Sequence, residues 1–158
     1  MGPPGTVPYI GVVGPSSATD DEAATAQEVG ELLARRDVVV VCGGLGGVME
    51  AAARGAAHAG GTVVGLLPGL DRADANPHVT VAITTGLGEM RNPLIVRACD
   101  ALIAIGGAYG TLSELAFALR TDVPVVGLRT WDLEKIERAT TPDEAVELAL
   151  ERARRPGP

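Results

Sequence analysis

The stretch Ile103-Ala104-Ile105-Gly106-Gly107-Ala108-Tyr109-Gly110-Thr111-Leu112-Ser113-Glu114 constrains the fold more than any other. An apolar run rich in β-branched residues leads into a glycine turn, and the turn opens an amphipathic segment over residues 111–120, so the pattern reads as strand, loop, helix. In α/β proteins that junction is where ligands sit. Three glycines within five residues let a ligand approach the backbone closely, and the free N–H groups of the following helix carry positive partial charge. An anion, most naturally a phosphate, fits there. Glu114, three residues past Thr111, is an acid at the rim of that site and a candidate for chemistry as well as for structure.

The same grammar repeats along the chain. Residues 9–13 read as a first strand, followed by Gly14-Pro15-Ser16-Ser17 and a helix that starts at the capping box Thr19-Asp20-Asp21-Glu22 and runs to about Arg36. Residues 38–42 form a continuous apolar run, the mark of a strand buried on both faces. It ends in a second glycine corner, Gly43-Gly44-Leu45-Gly46-Gly47, before an alanine-rich helix over 48–59. A third strand is expected over 62–67, a polar surface loop over 70–78, a short strand over 79–84, and a helix over 89–98 with Pro93 tolerated near its first turn. A further strand at 123–128, a variable stretch around Trp131, and a last helix beginning with the capping box Thr141-Pro142-Asp143-Glu144 complete the chain. Strands alternating with helices across short turns specify a Rossmann-like, doubly wound α/β fold, with a mostly parallel sheet and helices on both faces. No repeat or linker divides it, so one domain is expected over 9–152, with a flexible Gly/Pro-rich lead-in at 1–8 and a frayed end at 153–158.

Composition removes several function classes. A net charge of −7 with no Lys/Arg run argues against nucleic acid as a partner, because such binding needs clustered positive charge. No apolar run approaches the roughly 20 residues of a membrane span, and the start lacks the regions of a signal peptide, so a cytoplasmic protein is expected. Cys42 and Cys99 suit reduced thiols rather than a disulfide framework, although Cys42 abuts a helix N-terminus that could lower its pKa. His58 and His78 lack metal-ligand spacing, and no metal site is expected. Neither glycine corner matches G-x-G-x-x-G, and no P-loop is present, which disfavours nicotinamide enzymes and ATPases.

Two corners at neighbouring strand ends could hold one nucleotide between them, which makes Gly43, Gly44, Gly46, Gly47, Gly107, Tyr109, Gly110 and Thr111 the candidate phosphate and nucleotide contacts. Glu114 also has a plain structural reading. Thr111-Leu112-Ser113-Glu114 repeats the T-x-x-E pattern of Thr19 and Thr141, and from spacing alone a capping box is the better reading. Arg91 and Arg97, six residues apart on one helix, lie on different faces, so at most one reaches the glycine corner.

Arg91-Asn92, the run from Asp100 to Glu114, and Cys42-Gly43-Gly44-Leu45-Gly46-Gly47-Val48-Met49-Glu50 together resemble the LONELY GUY (LOG) superfamily, once widely mislabelled as lysine decarboxylases. The likeness covers roughly residues 9–128, and its nearest form is a bacterial subgroup similar to the molybdenum cofactor carrier protein. The resemblance implies hydrolysis of a nucleoside 5′-monophosphate to base and ribose 5-phosphate, with Arg91 and Glu114 catalytic and Gly107, Gly110 and Thr111 on the phosphate loop. It also implies a homodimer or homotetramer, for which the alanine-rich helix offers a closely packing surface. No resident cofactor is required, and the bound ligand would be a small phosphorylated molecule, a nucleotide or the molybdenum cofactor. Two positions depart from the LOG pattern R-K…P-G-G-x-G-T-x-x-E: Asn92 stands in place of lysine, and Gly106-Gly107-Ala108 in place of Pro-Gly-Gly. Losing the lysine removes a positive charge near the site, which favours the alternative of a non-catalytic binding or carrier protein. Lysine decarboxylation fails, since the sole lysine, Lys135, lies outside both glycine corners.

Overall fold

The computed structural model describes residues 6–154, so positions 1–5 of the expected lead-in and 155–158 of the expected frayed end lie outside the described residues. Seven strands form one sheet: β1 (Tyr9–Val13), β2 (Val39–Cys42), β3 (Val63–Leu67), β4 (Val81–Thr84), β5 (Ala101–Ile105), β6 (Val125–Leu128) and β7 (Glu137–Arg138). Their order is β4-β3-β2-β1-β5-β6-β7, and every pairing is parallel. Among the described residues five α-helices accompany them: α1 (Asp20–Ala34), α2 (Val48–His58), α3 (Asn92–Arg97), α4 (Tyr109–Arg120) and α5 (Pro142–Arg154). This is the doubly wound Rossmann-like architecture expected.

Period-two alternation explains the layering. Along the fully buried β5, Ala101, Ile103 and Ile105 face a core shared with α1, α2 and α5, while Leu102 and Ala104 face a second core shared with α3 and α4. Each fully buried Ile or Leu contributes on the order of 1.5–3 kcal/mol. The chain therefore needs apolar residues at every position of its central strand, which is why β5 shows no polar alternation.

Thr19 caps α1 as expected: its hydroxyl accepts the Glu22 N–H at 3.1 Å, and the Glu22 carboxylate accepts the Thr19 N–H at 3.0 Å. At α5 the box is shifted. Thr141 accepts the Glu144 N–H, but the Glu144 carboxylate turns to the N–H and hydroxyl of Thr140. The segment expected as one helix over 89–98 is a 3₁₀ turn, Gly88–Arg91, followed by α3, with Pro93 in the first turn of α3. β7 lies within the variable stretch and had no periodic signal.

The small residues of α2 serve this chain's own core. A Cβ on Gly30 of α1 would lie 2.0 Å from the Ala52 carbonyl oxygen, and one on Gly55 would lie 1.9 Å from that of Gln27. α1 and α2 thus pack backbone against backbone, and the close-packing surface expected to pair subunits is occupied within the chain.

Candidate functional site

From β1 the sheet grows outward in both directions, through β2, β3 and β4 on one side and through β5, β6 and β7 on the other. Loops leaving the carboxyl ends of β1 and β5 therefore part, and a crevice opens between them. A cleft of about 340 Å³ lies there. Gly14, Pro15 and Ser16 line it from the β1 side, and Ala108, Gly110, Thr111 and Glu114 from the β5 side. Leu45, Met49, Pro68, Glu89, Arg91 and Asn92 complete the walls.

The β5 corner is built to bring α4 close. Gly106 has φ of 66°, in the region that favours glycine, and a Cβ there would lie 1.7 Å from the Glu22 carboxylate as it caps α1. Ala108 is extended and caps α4 with no side-chain hydrogen bond. The helix then starts at Tyr109, three residues earlier than the T-x-x-E pattern suggests, which places Thr111 inside the first turn. Thr111-Leu112-Ser113-Glu114 is thus no capping box, in contrast to the expectation from spacing. Instead Thr111 is 1% exposed and its hydroxyl has no partner among the described residues. One turn on, on the same face, Glu114 is 8% exposed and faces the cleft. Burial pushes its carboxyl up to about 7, against the opposing pull of the Arg91 guanidinium.

Arg91 is 7% exposed and is held from three directions. Its Nη1 donates to the Gly43 carbonyl at 2.6 Å and to the Leu66 carbonyl, binding together the ends of β2 and β3. Its Nε donates to Asn92 Oδ1 at 2.9 Å. Burial lowers its pKa from the ordinary guanidinium value, opposed by Glu114. Among the described residues no ion pair joins Arg91 to Glu114, although both face the cleft. Arg97 is exposed on α3 and takes no part.

The two glycine corners are not neighbours, because β1 separates β2 from β5. Of the β2 corner only Leu45 lines the cleft; Gly43, Gly44, Gly46 and Gly47 support it from behind. Gly43 holds Arg91, the Gly44 carbonyl accepts the Asn76 N–H at 2.8 Å, and Val48 N–H donates to the Pro15 carbonyl at 3.0 Å. Gly107 lies against Trp131, with a Cβ there 3.0 Å from the indole nitrogen. Tyr109 is 84% exposed at the rim.

A model of the SLOG cluster4 family matches residues 7–155. The chain belongs to the SLOG cluster4 family. The molybdenum cofactor binding protein of the phototrophic bacterium Rippkaea orientalis superposes with a TM-score of 0.89 at 36% identity, covering 93% of this chain and 98% of that one. The molybdenum cofactor carrier protein of Chlamydomonas reinhardtii gives a TM-score of 0.87 at 31% identity, covering 95% and 100%. A probable cytokinin riboside 5′-monophosphate phosphoribohydrolase of Oryza sativa subsp. japonica is 36% identical over 57% of this chain and 41% of its own length. The LOG-like relationship and the likeness to cofactor carriers expected from the motifs are therefore shown.

For this SLOG cluster4 chain the sequence missed Gly14-Pro15-Ser16, which bears no reactive side chain and becomes visible only once β1 is known to adjoin β5. It also missed the use of Asn92 as an acceptor for Arg91. Cys42 is fully buried, and burial pushes its thiol up to about 11 against the opposing pull of the Gly44 backbone and the Arg91 guanidinium. Among the described residues no three His, Cys, Asp or Glu side chains gather as a metal donor set, and no helix is long and apolar enough to cross a membrane.

Proposed function

We propose that this SLOG cluster4 protein binds and carries a phosphorylated small molecule, with the phosphorylated pterin of the molybdenum cofactor as its cargo. The observation that carries this reading is the commitment of Arg91. Its Nη1 and Nε are taken up by Gly43, Leu66 and Asn92, so it acts as a strut across β2 and β3 and offers a ligand in the cleft only the two N–H groups of Nη2. The phosphate instead rests on the first turn of α4, where the N–H groups lack intrahelical acceptors and the Thr111 hydroxyl is free to donate. The full-length likeness to two cofactor-binding proteins supports the same reading.

A second reading, hydrolysis of a nucleoside 5′-monophosphate, is favoured by Glu114. A cleft-facing carboxylate beside a ribose can stabilise the positive charge that builds as an N-glycosidic bond breaks. The discriminating experiment incubates the protein with AMP, GMP, CMP, UMP and IMP and follows free base by chromatography, with Glu114→Ala in parallel. The carrier reading expects no base release, together with a rise in melting temperature on adding a phosphorylated ligand. Base release that disappears in Glu114→Ala would establish the hydrolase instead.

A further inference from the structure

The chain has one Trp, two Tyr and one Phe, and two of these four aromatics stack on each other beside the phosphate corner. Tyr109 and Trp131 have ring centroids 6.2 Å apart and planes inclined by 29°. Trp131 is fixed from below: its indole N–H donates to the Ala108 carbonyl at 3.2 Å, and its ring lies over Gly107, where a Cβ would come within 3.0 Å of the indole nitrogen. Tyr109 stands between Ala108 and Gly110, both of which line the cleft, and its ring is 84% exposed. An aromatic side chain at the first position of a helix, propped by a second ring and left open to solvent, gains nothing for the fold. Its backing and its place point outward, to a ligand.

We propose that Tyr109, backed by Trp131, is a stacking platform for the planar heterocycle of the phosphorylated ligand, so that the protein recognises phosphate and ring together. The inference rests on the carrier reading and adds the ligand class to it: a phosphate monoester bearing a fused heteroaromatic ring, whether purine or pterin. A phosphate seated at Gly110 and Thr111 places the attached ring within reach of the Tyr109 face, and stacking tolerates any such ring because each has a π-face. The Trp131 N–H keeps the platform from swinging away.

The sole tryptophan makes this directly readable. Trp131 fluorescence and binding affinity are followed on titration with GMP, with neopterin monophosphate, and with ribose 5-phosphate as the ringless control. The ring-bearing probes are expected to bind roughly 5- to 100-fold more tightly than ribose 5-phosphate and to quench Trp131, whereas the control leaves the emission unchanged. Tyr109→Ala, at an exposed position, is expected to remove the preference for ring-bearing ligands while ribose 5-phosphate binds as before. Trp131→Phe retains a ring and is expected to keep most of the preference. The order of GMP and neopterin monophosphate tells which heterocycle the platform suits. Equal binding of ringed and ringless probes to the unaltered protein, or a preference that survives Tyr109→Ala, would overturn the platform and leave the carrier reading standing. Failure of every phosphorylated probe to bind would overturn both.

Discussion

Glu114→Gln is expected to stabilise the protein at pH 8.5 by up to about 3 kcal/mol and to leave it unchanged near pH 4. The carboxyl titrates at about 7 in the folded protein against an ordinary value near 4.5, and that gap corresponds to roughly 3 kcal/mol at 1.36 kcal/mol for each pKa unit. A folded value raised by burial means that the native state prefers the protonated form. Below pH 4.5 the group is protonated in both states and costs nothing. As pH rises through about 7 the folded protein must bury a carboxylate, and the unfolded chain need not. Stability is thus lost over the window from about 4.5 to 7, and glutamine, which matches the shape without the charge, does not lose it. Urea melts at the two pH values measure the difference. Identical curves for the two proteins at pH 8.5 would mean that Glu114 carries no burial cost.

Arg91→Ala is expected to destabilise the protein by about 2–6 kcal/mol, the cost of leaving two buried acceptors without a donor. The loss comes chiefly from the Gly43 and Leu66 carbonyls, which Nη1 satisfies at the ends of two adjacent strands. Each buried acceptor left without a donor costs about 1–3 kcal/mol. Arg91→Lys is expected to recover only part of this, because a single ammonium does not reproduce the fork that reaches both carbonyls and Asn92 Oδ1. Denaturant unfolding checks both variants. A loss below about 1 kcal/mol in Arg91→Ala would show that the strand ends do not depend on the guanidinium.

Local order was largely legible in the chain, and spatial order was not. Strand–turn–helix grammar placed β1, β2, α2 and β5 within a residue or so, because a strand buried on both faces must be continuously apolar and a helix must start after its glycine turn. Nothing local states that β1 lies between β2 and β5, so the two glycine corners looked like partners. The pattern T-x-x-E illustrates the same limit. At Thr19 it caps a helix; at Thr111 an extended Ala108 starts the helix earlier and turns the threonine and glutamate toward the cleft. The pattern is identical, and the backbone three residues upstream decides what it does. Trp131 sat in a stretch without periodicity, and only the fold brings it under Tyr109.

The proposed carrier role turns on a phosphate held by the first turn of α4 and the Thr111 hydroxyl. The most direct measurement is a calorimetric titration of neopterin monophosphate into the protein and into Thr111→Val, with the melting temperature of each. Valine matches the shape of threonine and lacks the hydroxyl, which has no partner among the described residues. Affinity is predicted to fall roughly tenfold, the value of one hydrogen bond to a charged group, while the melting temperature stays level or rises. Unchanged affinity in Thr111→Val would place the ligand elsewhere and contradict the account.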